Sequence, residues 1–141
     1  MITIEKKIYS EKKLIESGKD FSASIKLGDI ISVEGELGVG KTTFTKGILF
    51  GLGYQGLVQS PTFSIIKTYF FEYFKVHHID LYRINDDELT NIGIDDYLST
   101  NDVCIIEWFH RGSKVLPSPN RTVNIKYTDT ATMRFASFQS T

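Results

Sequence analysis

The segment from Gly35 to Thr42 has the residue types and the spacing that bind nucleotide phosphates. It reads Gly-Glu-Leu-Gly-Val-Gly-Lys-Thr and fits the pattern Gly-x-x-x-x-Gly-Lys-[Ser/Thr], which random shuffling of this composition produces about once in a hundred chains. Glycines let backbone N–H groups approach the phosphate oxygens, and the lysine neutralises their charge. The segment therefore predicts a phosphate-binding loop, or P-loop, for a purine nucleoside triphosphate with Mg²⁺.

Each position of this loop has an expected task. Gly35 and Gly40 permit the backbone to approach the ligand, Lys41 contacts the β- and γ-phosphates, and Thr42 binds Mg²⁺ through its hydroxyl. Thr43 is expected to reach the α-phosphate more weakly. The rest of the predicted phosphate-binding set is Glu36, Leu37, Gly38 and Val39. Because the sequence lacks an Asn-Lys-x-Asp segment that would recognise guanine, we expect ATP as the nucleotide.

Two acidic residues follow runs that resemble buried strands. Glu107 comes directly after the apolar residues 103–106, and Asp80 follows a less apolar run. P-loop enzymes need such a strand-end carboxylate to complete the coordination of Mg²⁺. We predict that Glu107 binds the metal and that Asp80 positions or activates the attacking water. The alternative for both is a strand-end carboxylate that caps a turn or pairs with Arg83 or Arg111.

Thr62 lies in the segment Ser-Pro-Thr-Phe at 60–63, between the predicted P-loop helix and the next strand. P-loop switch proteins place a hydroxyl that senses the γ-phosphate in this part of the chain. Thr62 is therefore predicted as a catalytic residue, although a turn before a strand explains the segment equally well.

Three further side chains receive structural interpretations. His77 and His78 are neighbours in a predicted strand and face opposite sides, which argues against a shared metal site. Trp108 is expected to fill the core rather than to line the nucleotide pocket.

The P-loop needs a strand before it and a helix after it. Residues 29–34 predict that buried strand, and 42–52 predict the helix. Before them, isoleucines at alternate positions predict a first strand, and Ser10 is expected to cap a helix that Gly18 weakens. The later elements are a hairpin from 63–71 and 74–79, short helical turns within 86–96, a central strand at 103–106, and a closing hairpin in which Val123, Ile125, Tyr127, Met133, Phe135 and Phe138 alternate. The predicted fold is α/β, with a mixed central sheet flanked by helices and β-hairpins.

Length and composition limit the classes of protein that remain. The 141 residues suit one P-loop domain over 1–141, because a chain of this size buries enough surface for one core. Sixteen basic and seventeen acidic residues give a net charge of -1, which excludes the basic surface of an independent nucleic-acid binder. Cys104 lies in an apolar run and is expected to be a buried thiol. The sequence shows neither a signal peptide nor a membrane span, so we expect a cytoplasmic protein.

The order of these motifs resembles the bacterial TsaE family. After the P-loop come Ser-Pro-Thr-Phe at 60–63, His-Ile-Asp-Leu-Tyr-Arg at 78–83, Ile-Glu-Trp at 106–108 and Leu-Pro at 116–117. The resemblance implies an ATPase that assists threonylcarbamoylation of the adenosine beside the tRNA anticodon. It also implies the partner proteins TsaD and TsaB, with tRNA contacted only through their complex.

The resemblance implies site residues that agree with those inferred from the motifs. They are Lys41 and Thr42 for phosphate and Mg²⁺, Thr62 for sensing the nucleotide, Asp80 as a catalytic carboxylate, and Glu107 as an Mg²⁺ ligand. The chain departs from the family where Phe109 and His110 follow Trp108, since the family usually has a proline or small residue and then an acidic one.

Two other functions stay open on the sequence alone. Asp80-Leu81-Tyr82-Arg83 resembles the acidic-basic clamp of nucleoside kinases, but such enzymes bring several arginines onto the phosphoryl group. This chain has four arginines in total, which favours hydrolysis. A nucleotide switch that does not hydrolyse ATP would need Asp80 and Glu107 to be structural only.

Overall fold

One mixed sheet lies at the centre of the computed structural model, which describes residues 2–61, 64–98 and 101–140. Within these residues the sheet has seven strands in the order β1-β7-β6-β2-β5-β4-β3. The strands are β1 (Ile2–Ile8), β2 (Ile30–Glu34), β3 (Ile66–Phe70), β4 (Lys75–Asp80), β5 (Val103–Glu107), β6 (Arg121–Tyr127) and β7 (Arg134–Ser140). The predicted site residue Thr62 lies outside the described residues.

Strands β2, β4, β5 and β6 run parallel to one another. The predicted hairpins supply the antiparallel edges, since β3 pairs with β4 and β6 pairs with β7, which in turn pairs with β1. The α/β class with a mixed sheet and β-hairpins is thus confirmed. Because the parallel strands end at the same edge, the residues that follow β2, β4 and β5 meet there, as is usual for ligand sites in such sheets.

Helices cover both faces of the sheet. They are α1 (Glu11–Ser22), α2 (Lys41–Gly51), α3 (Asp86–Asn91) and α4 (Ile94–Leu98), with a 3₁₀ turn at Phe109–Gly112. Ser10 caps α1 as predicted, because its hydroxyl accepts a hydrogen bond from the Lys13 N–H at 3.1 Å. Within the described residues each helix is too short or too polar to cross a lipid bilayer.

Gly18 does not interrupt α1, although its type suggested a weak point. It lies against Gly47 of α2, where a Cβ on either residue would collide with backbone atoms of the other helix. The two glycines therefore let α1 and α2 pack closely on one face of the sheet.

The core consists of two clusters separated by the sheet. One joins α1 and α2 to the sheet and includes Val103 and Ile105, whereas the other lies beneath α3 and α4 and includes Cys104 and Ile106. All five residues of β5 are buried, which confirms the predicted central strand. Cys104 is buried and free, which confirms the expected buried thiol, and burial raises its pKa to about 12.

The alternation expected in the last strand was right at Phe138 and wrong at Met133 and Phe135. Ala136 and Phe138 are the buried residues of β7, whereas Met133 and Phe135 are only half-buried. The register explains this, because Ala136 pairs with Ile125 and Phe138 pairs with Val123, the two buried residues of β6. The buried position opposite Ile125 is therefore filled by the small side chain of Ala136 and not by a large apolar one.

Candidate functional site

The loop between β2 and α2 has a backbone that is compatible with phosphate binding. Gly40 is the N-cap of α2 and has φ 118° and ψ 20°, in the left-handed region that favours glycine. With no side chain to cap the helix, the N–H groups of its first turn are left for another acceptor. A helix start of this kind attracts anions through these donors and the helix dipole.

Lys41 folds back over this loop. Its Nζ donates hydrogen bonds to the carbonyl oxygens of Gly35 at 2.5 Å and Glu36 at 3.3 Å. The same ammonium lies 4.1 Å from the centroid of the Trp108 ring, a cation–π contact. Lys41 is buried, so the loop holds a positive charge with little exposed surface at the start of α2.

The electrostatic surroundings of Lys41 are acidic. Burial lowers the pKa of Lys41, while the negative charges of Glu107, Asp80 and Glu34 oppose that shift. Burial disfavours the charged form of Lys41, and the two carbonyl oxygens accept only some of the hydrogen bonds that its ammonium can donate. A phosphate oxygen that enters the cavity would therefore be a strong hydrogen-bond acceptor for it.

A cavity of about 560 Å³ opens beside Lys41. It brings together residues from the P-loop, from the ends of β4 and β5, and from the segments that follow them. Among the predicted site residues, those that line it are Leu37, Gly38, Gly40, Lys41, Thr42, Thr43, Asp80 and Glu107. Side chains more than sixty residues apart in sequence therefore share one cavity.

Asp80 and Glu107 end neighbouring parallel strands and lie opposite each other in the register. Asp80 is half-buried, and its Oδ1 accepts a hydrogen bond from the Tyr82 N–H at 3.0 Å. Burial raises the pKa of Asp80, and the negative charge of Glu107 adds to this effect, whereas the Tyr82 N–H acts against it. A half-buried carboxylate with a raised pKa is suited to accept a proton from a water molecule.

Glu107 has a partner that the sequence analysis missed. Its Oε2 lies 2.5 Å from His78 Nε2, and both side chains are almost inaccessible to solvent. The available signal was the alternation of β4, which places His78 on the same face as Asp80. His77 points to the other face, where its ring contacts Thr68 and Asp102, so the predicted opposite orientation of the two histidines is confirmed.

Trp108 lines the cavity instead of being wholly within the core. It has φ 58° and ψ 41°, a left-handed conformation directly after β5. This turn places the half-buried indole against Lys41 and 4.9 Å from the ring of Tyr82, measured between centroids. Trp108 was expected in the core because no sequence signal predicts the left-handed turn after β5.

The donors around the cavity suit Mg²⁺ bound together with phosphates. Within the described residues, no group of three or more His, Cys, Asp or Glu side chains could enclose a metal. Mg²⁺ at P-loops needs only one or two protein oxygens, since phosphates and water supply the others. Thr42 and Glu107 line the same cavity and offer these hard oxygen ligands.

A second cavity, of about 570 Å³, lies on the other side of the loop. It shares Gly38, Gly40 and Thr43 with the first cavity. Its remaining lining comes from Val39 of the loop, the start of α1 and the β6–β7 connection, with Arg134 donating from Nε to the Val39 carbonyl at 3.0 Å. Apart from the loop, no sequence motif marks these segments, and they were not among the predicted site residues.

The fold and the loop together define a P-loop NTPase-like α/β protein. Residues 8–135 match the family described as threonylcarbamoyl adenosine biosynthesis protein TsaE. The chain therefore belongs to the TsaE family.

Individual relatives agree with this assignment. The protein named tRNA threonylcarbamoyladenosine biosynthesis protein TsaE of Haemophilus influenzae is 37% identical, over 93% of this chain and 87% of its own length. The protein of the same name from Bacillus subtilis is 44% identical over 74% of this chain and 66% of its own length. The crystal structure of Bacillus subtilis YdiB superposes with a TM-score of 0.83 at 32% identity, covering 99% of this chain and 86% of that one.

Proposed function

We propose that this protein is a Mg²⁺-dependent ATPase that assists threonylcarbamoylation of the adenosine beside the tRNA anticodon. One observation carries the ATPase part: Lys41, Asp80 and Glu107 converge with the uncapped start of α2 on one cavity. The names of its relatives support the pathway. As a protein of tRNA modification it would act in the cytoplasm.

The two cavities suggest how ATP would lie. The phosphates would rest on the loop, because the α2 N–H groups and Lys41 supply the donors. Asp80 and Glu107 line only the first of the two cavities, so the γ-phosphate belongs there. The nucleoside then extends across Gly38 and Gly40 into the second cavity.

The side chains divide the chemistry between them. Lys41 would leave the carbonyl oxygens of Gly35 and Glu36 to neutralise the β- and γ-phosphates. When bound, Mg²⁺ would neutralise the phosphate charge, with Thr42 and Glu107 as its protein ligands. The backbone N–H of Tyr82 fixes Oδ1 of Asp80, which leaves Oδ2 to orient the attacking water.

The partners in this proposal are TsaD and TsaB, with tRNA reached only through them. A net charge of -1 provides no long-range attraction for a polyanion. Thr62 is proposed to sense the γ-phosphate and to transmit the nucleotide state to the partners.

The carboxylate pair favours this function over the two alternatives. A nucleotide switch without hydrolysis has no need for a half-buried carboxylate beside the γ-phosphate position. A nucleoside-type kinase would surround the phosphoryl group with arginines. Among the described residues Arg83 is the one arginine that lines the first cavity, while Arg111 packs on the rings of Tyr82 and Trp108 and Arg134 lines the second cavity.

The test is phosphate release from ATP by the purified protein, measured alone, with TsaD and TsaB, and with nucleosides as acceptors. The proposal expects Mg²⁺-dependent release that the partners change and that nucleosides leave unaltered. Phosphorylation of an added nucleoside would favour the kinase. ATP binding without any release, alone or with partners, would favour the switch.

A further inference from the structure

A buried pair of side chains includes Glu107, the carboxylate proposed to bind Mg²⁺ in the first cavity. His78 is 0% exposed and Glu107 is 4% exposed, and 2.5 Å separates His78 Nε2 from Glu107 Oε2. Glu107 lines the cavity, whereas His78 is not part of its lining. The histidine therefore lies behind the cavity wall, in hydrogen-bond contact with the glutamate.

The other ring nitrogen indicates which group donates this hydrogen bond. His78 Nδ1 is buried and has no hydrogen-bond partner within the part of the chain that the structure describes. A hydrogen on Nδ1 would be buried without an acceptor, which is costly, whereas a lone pair there is tolerated. The arrangement thus favours a hydrogen on Nε2, donated to Glu107.

The backbone around Glu107 is fixed by other contacts. β4 and β5 are joined by their parallel ladder, and the Glu107 carbonyl accepts a hydrogen bond from the Leu81 N–H at 3.1 Å. The contact with His78 is therefore not needed to join the strands. What it restrains is the orientation of the Glu107 carboxylate.

We propose that His78 is a positioning residue for the metal ligand Glu107. A hydrogen bond to Oε2 restrains the carboxylate and would leave Oε1 available for Mg²⁺ in the first cavity. Hydrogen bonds of this kind behind metal ligands typically contribute 10- to 100-fold to metal affinity. The inference rests on the proposed function, because it concerns the metal of that same site.

His77 gives a matched control within the same strand. It is also buried and also contacts a carboxylate, with His77 Nε2 3.1 Å from Asp102 Oδ2. That pair lies at the start of β5, at the opposite end of the strand from Glu107. Replacing His77 disturbs a partly buried contact of the same kind in β4 without touching the proposed metal ligand.

The experiment compares His78→Leu, His78→Gln and His77→Leu with the unaltered protein. Calorimetry measures ADP affinity without Mg²⁺ and then the Mg²⁺ concentration that half-saturates the metal-dependent increase in affinity. We expect His78→Leu to raise that concentration about tenfold or more and to leave metal-free ADP affinity unchanged. His78→Gln places an amide N–H near the position of Nε2 and should restore most of the loss, while His77→Leu should behave as unaltered protein.

The outcomes separate this inference from the proposed function. An unchanged Mg²⁺ requirement in His78→Leu, or an equal change in His77→Leu, would overturn the positioning role. If His78→Leu does not fold, His78→Asn decides instead, because its shorter amide cannot reach Oε2 and must show the loss that His78→Gln avoids. If Mg²⁺ does not change the ADP affinity of the unaltered protein, the proposed function itself is contradicted.

Discussion

Single side chains at the ends of β4 and β5 carry distinct expected roles in the site. Glu107→Ala should raise the Mg²⁺ requirement for nucleotide binding, because it removes an oxygen ligand of the metal. Asp80→Ala should leave binding intact and slow hydrolysis, because it removes the group that orients water. Titrating Mg²⁺ against each variant, with binding and phosphate release measured separately, distinguishes them. The reverse pattern would show that the two assignments are interchanged.

The buried charge of Asp80 should also reduce the stability of the protein. Burial raises the pKa of Asp80, so the folded state disfavours its carboxylate relative to the unfolded chain. The protonated Asp80 therefore contributes to the free energy of unfolding at acidic pH. This contribution is lost as the pH rises through the pKa of Asp80 in the folded protein. We therefore expect Asp80→Asn to increase the free energy of unfolding at neutral pH and to have little effect once Asp80 is protonated.

Urea unfolding in EDTA, from acidic to neutral pH, measures the difference in free energy of unfolding between Asp80→Asn and the unaltered protein. A variant less stable than the unaltered protein at neutral pH would mean that attraction to Lys41 outweighs burial. The expected gain in stability with loss of hydrolysis is the usual exchange at a functional site.

Between the helices, close packing outweighs local helix propensity. Gly47→Ala should destabilise the protein by roughly 1–3 kcal/mol, even though alanine is the better helix former. The reason is that a Cβ on Gly47 would collide with the Ile15 carbonyl and lie 3.0 Å from Gly18 Cα. Denaturant unfolding measures the change, with the exposed Lys12→Ala of α1 as a control. A neutral or stabilising Gly47→Ala would mean that α1 and α2 separate without cost.

The elements that the sequence predicted well are those with a strong local pattern. The P-loop, its strand and its helix follow from one motif, and β5 follows from a short apolar run. Ala136 was missed because its burial depends on the register with β6, and Gly18 because its partner is on another helix. These are contacts between distant segments, which local periodicity does not encode.

The candidate site shows the same division. Asp80 and Glu107 each follow a predicted strand. Because parallel strands align their carboxyl ends, the two residues were expected at the same edge of the sheet. The pairing of His78 with Glu107 and the turn of Trp108 onto Lys41 depend on side-chain directions across neighbouring strands. The second cavity needs the start of α1 and the β6–β7 connection together, and no spacing in the sequence links them.

In the complete protein, nucleotide state and partner binding should be coupled. Thr62 is predicted to sense the γ-phosphate, as a hydroxyl in this part of the chain does in P-loop switch proteins. The ATP and ADP forms should therefore differ in affinity for the TsaD–TsaB pair. A coupling of about 1–3 kcal/mol, or roughly 5- to 150-fold, is the usual size. Calorimetry with each nucleotide measures it, and the partners must change the ratio of ATP to ADP affinity by the same factor. Equal partner affinity in both forms, with tight tRNA binding by the isolated chain, would point to direct action on RNA.

The most direct test of the nucleotide site is ATP binding by Lys41→Ala compared with Lys46→Ala from the same helix. Removing the Lys41 ammonium should weaken Mg²⁺-ATP binding about tenfold or more, because contacts with charged groups contribute about 1.5–3 kcal/mol. Lys46, whose Nζ lies 5.6 Å from the Phe50 ring centroid, is absent from the lining of either cavity, so its variant should bind ATP normally. Circular dichroism checks that both variants fold. Calorimetry showing that folded Lys41→Ala binds and hydrolyses ATP like the unaltered protein would contradict the assignment of the P-loop.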